Sequence, residues 1–129
     1  MLNSRGQSLV LFVLVLPILL LILILVIDVG KIILLRHELN NISEIVLDYG
    51  IDNIETENID VELTELIRIN KSDIDKVNVN IKDDKIFIIL SEKCDGILSS
   101  LVKLPMFNVK TSFVGYKVDG VKRIERMGD

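Results

Sequence analysis

Hydrophobic positions change their rhythm twice along this chain. From Leu9 to Ile27 every residue except Pro17 is apolar. A run with no polar face reads as a helix surrounded by apolar medium on all sides. At about 1.5 Å per residue its length is about 28 Å, close to the hydrocarbon thickness of a bilayer. Pro17 fits such a helix, because proline is tolerated inside membrane spans. After Asp28 the apolar residues fall at Ile32, Leu35, Leu39, Ile42, Val46 and Tyr49, spaced 3, 4, 3, 4, 3. That is the a/d stripe of an amphipathic helix. Lys31, Arg36, His37, Glu38, Asn41, Glu44 and Asp48 fall on the other faces, and Gly50 is the expected stop. One helix is therefore expected from about Ser8 to Tyr49, with a stripe that packs on the chain's own domain, on partner subunits, or on both.

The remainder alternates on shorter periods. Ile59, Leu63, Leu66 and Ile67 fit a second helix, followed by a loop at Asn70-Lys71-Ser72-Asp73. Val77, Val79 and Ile81 alternate with polar residues and predict a half-buried strand. Asp83-Asp84 predicts a turn, and Lys85 to Ser91 a second strand whose continuous apolar run suggests a centre covered on both faces. Ile97, Leu98, Leu101 and Leu104 predict a third helix stopped by Pro105. Val109, Thr111 and Phe113 predict a third strand, and the residues from Lys117 onward read as a polar, basic tail.

The expected fold class is α+β: a long N-terminal transmembrane-plus-amphipathic helix, then a small domain with about three β-strands and two short helices. The expected divisions are a short N-terminal flank at 1–8, a transmembrane helix at 9–27, an amphipathic helix at 28–50 and the α+β domain at 51–129. A cleaved secretory signal fits less well, because Asp28-Val29-Gly30-Lys31 follows the run where small residues of a cleavage site belong.

Composition narrows the chemistry. Residues 28–129 carry 14 basic and 19 acidic side chains, so the domain offers no basic footprint for nucleic acid. The single histidine, His37, lies off the apolar stripe, and the single cysteine, Cys94, has no partner for a disulfide. Cys94 falls where the third helix begins, and a helix N-terminus can lower a thiol pKa; with no histidine beside it, an ordinary buried thiol is expected. No phosphate-cradling glycine loop, zinc spacing or nucleophile elbow occurs. The expectation is a protein that is not an enzyme, with no catalytic, cofactor-binding or metal-binding residues and no cofactor.

Three elements carry a resemblance: Arg5-Gly6-Gln7-Ser8 ahead of the apolar run, the Leu16-Pro17 step inside it, and Asp28-Val29-Gly30-Lys31 at its end. Leu39-Asn40-Asn41 follows in the amphipathic helix. In this order and spacing they resemble the TadE/TadG-like proteins of the tight-adherence (Flp-type) pilus, which are pilin-like or pseudopilin-like. Leu11 stands five residues after Gly6, where TadE-type members and type IV pilins usually carry glutamate. TadG-type members are often apolar there but carry a large extra domain, so the subfamily stays open.

The resemblance implies a membrane-anchored, single-pass component of a type IV-related (Tad/Flp) pilus or secretion apparatus, with its C-terminal domain outside the cytoplasm. It implies the lipid bilayer and other pilin-like or Tad-type assembly subunits as partners. A prepilin peptidase would be a further partner, with processing between Gly6 and Gln7. Read without the resemblance, the same pattern also suits a single-pass membrane-tethered binding or accessory subunit unrelated to pili.

Overall fold

The computed structural model describes residues 4–103 and 107–127. Helix α1 runs unbroken over Ser4–Asp52, 49 residues, through Pro17. Helix α2 covers Ile59–Asn70. Strands β1 (Lys76–Lys82) and β2 (Lys85–Cys94) form a hairpin, α3 (Ile97–Val102) follows, and β3 (Phe107–Val118) and β4 (Val121–Arg126) form a second hairpin. The four strands make one antiparallel sheet in the order β1-β2-β3-β4. An α+β fold with a long N-terminal helix is what the patterning led one to expect; the fourth strand is not.

Strand β4 replaces the expected polar tail. Strand β3 continues through Lys117 to Val118, and Asp119-Gly120 reverses the chain, with φ of 50° and 79°. Two successive residues in the left-handed region make the tight hairpin turn whose twist matches that of the strands. The Asp83-Asp84 turn has the same form, with φ of 54° and 61°. Strand β4 is an edge strand rich in charge, Val-Lys-Arg-Ile-Glu-Arg; Ile124 is its apolar residue packed on the core, and Lys122 on the same face pairs with Asp48 and Asp52 of α1.

One face of the sheet packs on α1 and α2. From β2, Ile86, Ile88 and Leu90 point into this layer, and from β3, Val109, Thr111 and Phe113 do so. Helix α1 meets them with Leu39, Ser43, Val46, Leu47 and Ile51, and α2 with Ile59, Leu63 and Ile67. Strand β2 is central but not covered on both faces: Phe87 and Ile89, on the side away from the helices, stay half-exposed. Leu104 and Pro105, expected to end the third helix, lie outside the described residues.

Glycines set how closely the layers approach. Gly50 does not stop α1; it lies inside the helix and is buried. A Cβ there would stand 2.8 Å from Ile86 Cδ1 and 2.9 Å from Leu63 Cδ1, so a side chain would push sheet and helix apart. At Gly115 of β3, a Cβ would meet Leu47 Cδ2 at 3.0 Å.

Lys71, just past α2, ties the layers at their margin. Its ammonium lies 3.3 Å from Glu92 Oε1 on β2 and 3.4 Å from Glu38 Oε2 on α1. Desolvation works against its charge, but Glu92 and then Glu38 outweigh it and hold the Lys71 pKa above the ordinary 10.5.

Two predictions follow from this packing. Gly30 has open space around its Cβ position, so Gly30→Ala should raise stability by about 0.5–1 kcal/mol through helix propensity. Gly50→Ala should lower it, because overpacking costs about 1–3 kcal/mol; thermal unfolding in detergent micelles compares the two. The second concerns Lys71. A pKa raised on folding contributes stability that is complete below the unfolded value and is lost as pH rises through the folded one. Lys71→Met should therefore lower stability at neutral pH, by about 1–3 kcal/mol for the buried Glu92 acceptor left unpaired, and flatten the alkaline limb of a denaturation-versus-pH profile.

Candidate functional site

The chemistry-bearing feature of this chain is a surface, the outside of α1, together with the joint that seats the domain on it. Between Leu9 and Ile27 every side chain is exposed except Ile24, which is half-buried. The apolar window of α1 has a mean hydropathy of 3.7, and the helix is long enough to cross a membrane. Among the described residues this is the one helix that qualifies.

Asp28 ends the apolar run and is nearly fully buried, at 4% exposure. Its Oδ1 accepts from the Ile97 amide at 2.8 Å and its Oδ2 from the Leu98 amide at 2.9 Å. The first amides of a helix have no partner within the helix, so a carboxylate there satisfies orphan donors and faces the positive end of the helix dipole. This cap comes from a residue about 70 positions earlier in the chain. Gly96 makes the approach possible: a Cβ there would stand 2.8 Å from Asp28 Oδ2. Ser99 closes the same turn, accepting from Gly96 N at 3.1 Å and donating to Gly96 O at 2.9 Å. In the sequence Asp28 stands only as part of a motif, because nothing local links it to Ile97.

The expected stripe divides. Leu39 and Val46 are buried, and Ile32, Leu35 and Ile42 are half-buried against the core. Tyr49 is 40% exposed and donates its hydroxyl to Glu62 on α2 instead. Ser43, Leu47, Gly50 and Ile51 take the buried positions beyond Ile42. The stripe was spaced at 3.5 residues, whereas a straight helix turns every 3.6, so its contact face drifts by about 20° per heptad. His37 is exposed.

Gly6 and Gln7 lie in the first turns of α1, with Gln7 exposed and Gly6 half-buried. A peptidase cutting between them has to open the start of the helix. Leu11, one turn on, is 62% exposed. Cys94 lies at the end of β2 rather than at the start of the third helix. Burial pushes its thiol pKa up, and nearby Lys31 offsets this only in part. Among the described residues, no three His, Cys, Asp or Glu side chains gather closely enough to hold a metal ion.

Replacing the cap tests the joint. Asp28→Ala should cost about 1–3 kcal/mol, since two amides lose their acceptors in a partly buried site, and Asp28→Asn should cost less because one acceptor oxygen remains. Amide hydrogen exchange reads the effect directly, with faster exchange at Ile97 and Leu98 in Asp28→Ala while the amides of β2 hold.

No curated protein matches the chain, and no solved structure matches it either. A family model described as TadE-like protein matches residues 6–44. That stretch holds Gly6, the Leu16-Pro17 step, Asp28 with its cap, Gly30-Lys31 and Leu39 at the start of the core. From residue 6 to residue 44, along the helix that carries both the apolar run and the seat of the domain, the chain is similar to the TadE-like family, and this likeness supports a TadE-like pilus assembly protein.

Proposed function

We propose that this chain is a non-enzymatic, single-pass, minor pilin-like or pseudopilin-like component of a Tad/Flp-type pilus or secretion apparatus, with its domain on the extracytoplasmic side. The observation that carries this reading is the all-round apolar exposure of α1 from Leu9 to Ile27 in a helix that matches the TadE-like family. A helix apolar on every face has two favourable environments, the bilayer and the core of a helical bundle. Transfer between them costs little, and that is how such a subunit would be stored in lipid and then used in assembly.

Leu11 limits the kind of assembly. A carboxylate at this depth is expensive in lipid and serves in pilins to pair with a neighbouring subunit's freed amino terminus. Leu11 offers no such charge. The reading that follows is a tip, base or membrane-resident role rather than a repeating filament subunit. A prepilin peptidase acting here would cut after Gly6 and expose Gln7.

Deleting the gene in its host should abolish or sharply reduce surface filaments, and the wild-type copy should restore them. Unchanged piliation would overturn the assembly role. Protease added to intact protoplasts should digest the domain from about Asp28 onward, whereas protection until lysis would place it inside. Intact mass of the membrane-extracted protein should lack Met1 to Gly6 where the peptidase is active, and a full-length mass would make the anchor permanent.

A further inference from the structure

We infer that the described part of the β2–β3 connection, residues 95–103 with α3, is a second membrane-contacting element that lies in the interfacial layer of the bilayer beside α1. The inference rests on the reading of α1 as a membrane anchor.

Topology places the connection. Strand β2 runs toward the apolar half of α1 and β3 runs away from it. Ile86 at one end of β2 lies against Gly50, and Gly96 just past the other end lies against Asp28. Cys94 and Phe107 are strand partners, so residues 95–103, α3 included, lie past the ends of both strands on the side of the apolar run. Asp28 is the first charged residue after Arg5, which places it at the boundary of the hydrocarbon. The headgroup region on each side of the hydrocarbon is about 5–8 Å deep, so an element held at that level lies inside it.

The side chains there suit the place. Leu101 is 66% exposed, Val102 55% and Phe107 43%, and all three belong to this end of the domain by their place in the chain. Ile97 and Leu98 are half-buried beside them. Ile24, one helical turn before Asp28 on the same face, is alone among residues 9–27 in being half-buried, and α3 packs on α1. The domain's tip therefore reaches over the last turn of the apolar run, which makes its apolar surface continuous with that of the anchor.

Lys31 and Lys103 are exposed at this end, where anionic headgroups would meet them, and Asp95 is exposed beside them. The far-end turns carry exposed Asp83, Asp84 and Asp119 together with Lys82, Lys85 and Lys117. Both signs of charge thus stand at both ends, and it is apolar exposure rather than charge that suits this end to lipid.

The chain has no tryptophan, so single substitutions act as clean reporters. The full-length protein is reconstituted in anionic phosphatidylglycerol-containing vesicles as Leu101→Trp, Val102→Trp, Leu19→Trp and Glu57→Trp, with folding checked by circular dichroism. Emission from Leu101→Trp and Val102→Trp should be blue-shifted relative to Glu57→Trp, lose intensity with brominated lipid, and resist acrylamide. Leu19→Trp should show the strongest loss with lipid bromination. If Leu19→Trp is quenched by the lipid while both α3 reporters behave like Glu57→Trp, the anchor stands and this inference falls. If Leu19→Trp is not quenched, both fall together. Protection of the α3 reporters that is insensitive to bromination and disappears on dilution of protein in lipid would assign this surface to a second copy of the chain and overturn the lipid contact.

Discussion

The pairing of the Asp28 carboxylate with the Ile97 and Leu98 amides fixes where the domain sits on the helix. A carboxylate at the end of a long apolar run has no good partner in lipid, and the first amides of a short helix have none in their own chain. Each solves the other's problem. Removing either leaves a polar group with neither water nor partner, so the start of the β2–β3 connection is held to one point on α1.

That point is consistent with the dimensions of the parts. The 22 residues from Asp28 to Gly50 rise about 33 Å along a helix, and the ten residues from Ile86 to Gly96 cover about 33 Å in extended chain. Two contacts at the ends, Gly96 on Asp28 and Gly50 on Ile86, can therefore close at once with helix and strand lying side by side. Glycine allows both approaches, because a Cβ at either place would stand 2.8 Å from the partner side chain and force it to shift. The core residues Leu39, Val46 and Leu47 fill the space between these ends.

Much of this was legible in the sequence, for reasons that lie in local periodicity. The apolar run, the amphipathic continuation, α2 and the β1–β2 hairpin each carry their own pattern within a few turns or one strand length. What escaped was set by distance or by close approach. The role of Asp28 depends on residues about 70 positions away. Gly50 resembles a helix stop in sequence and becomes a packing residue only once Ile86 and Leu63 lie against it. Strand β4 is hidden because an edge strand needs only one inward apolar residue, Ile124, although Asp119-Gly120 did announce a hairpin. Tyr49 marks where a seven-residue spacing outruns a straight helix.

No linker separates anchor from domain, and this constrains how the protein can act. Helix α1 is continuous from Ser4 to Asp52, with its second half built into the core. Tilt or displacement of the apolar half is therefore passed directly to the sheet, with no hinge to absorb it. Val29 and Ile33, exposed on α1 just past Asp28, prolong the apolar surface alongside the seated domain. A neighbouring helix packing on the apolar run could follow that surface past Asp28 without displacing the cap, because Asp28 turns its carboxylate to the other side, toward α3. The cap then does two things at once. It fastens the domain to one face of α1, and it leaves the remaining faces of the helix available to lipid or to the helices of an assembly.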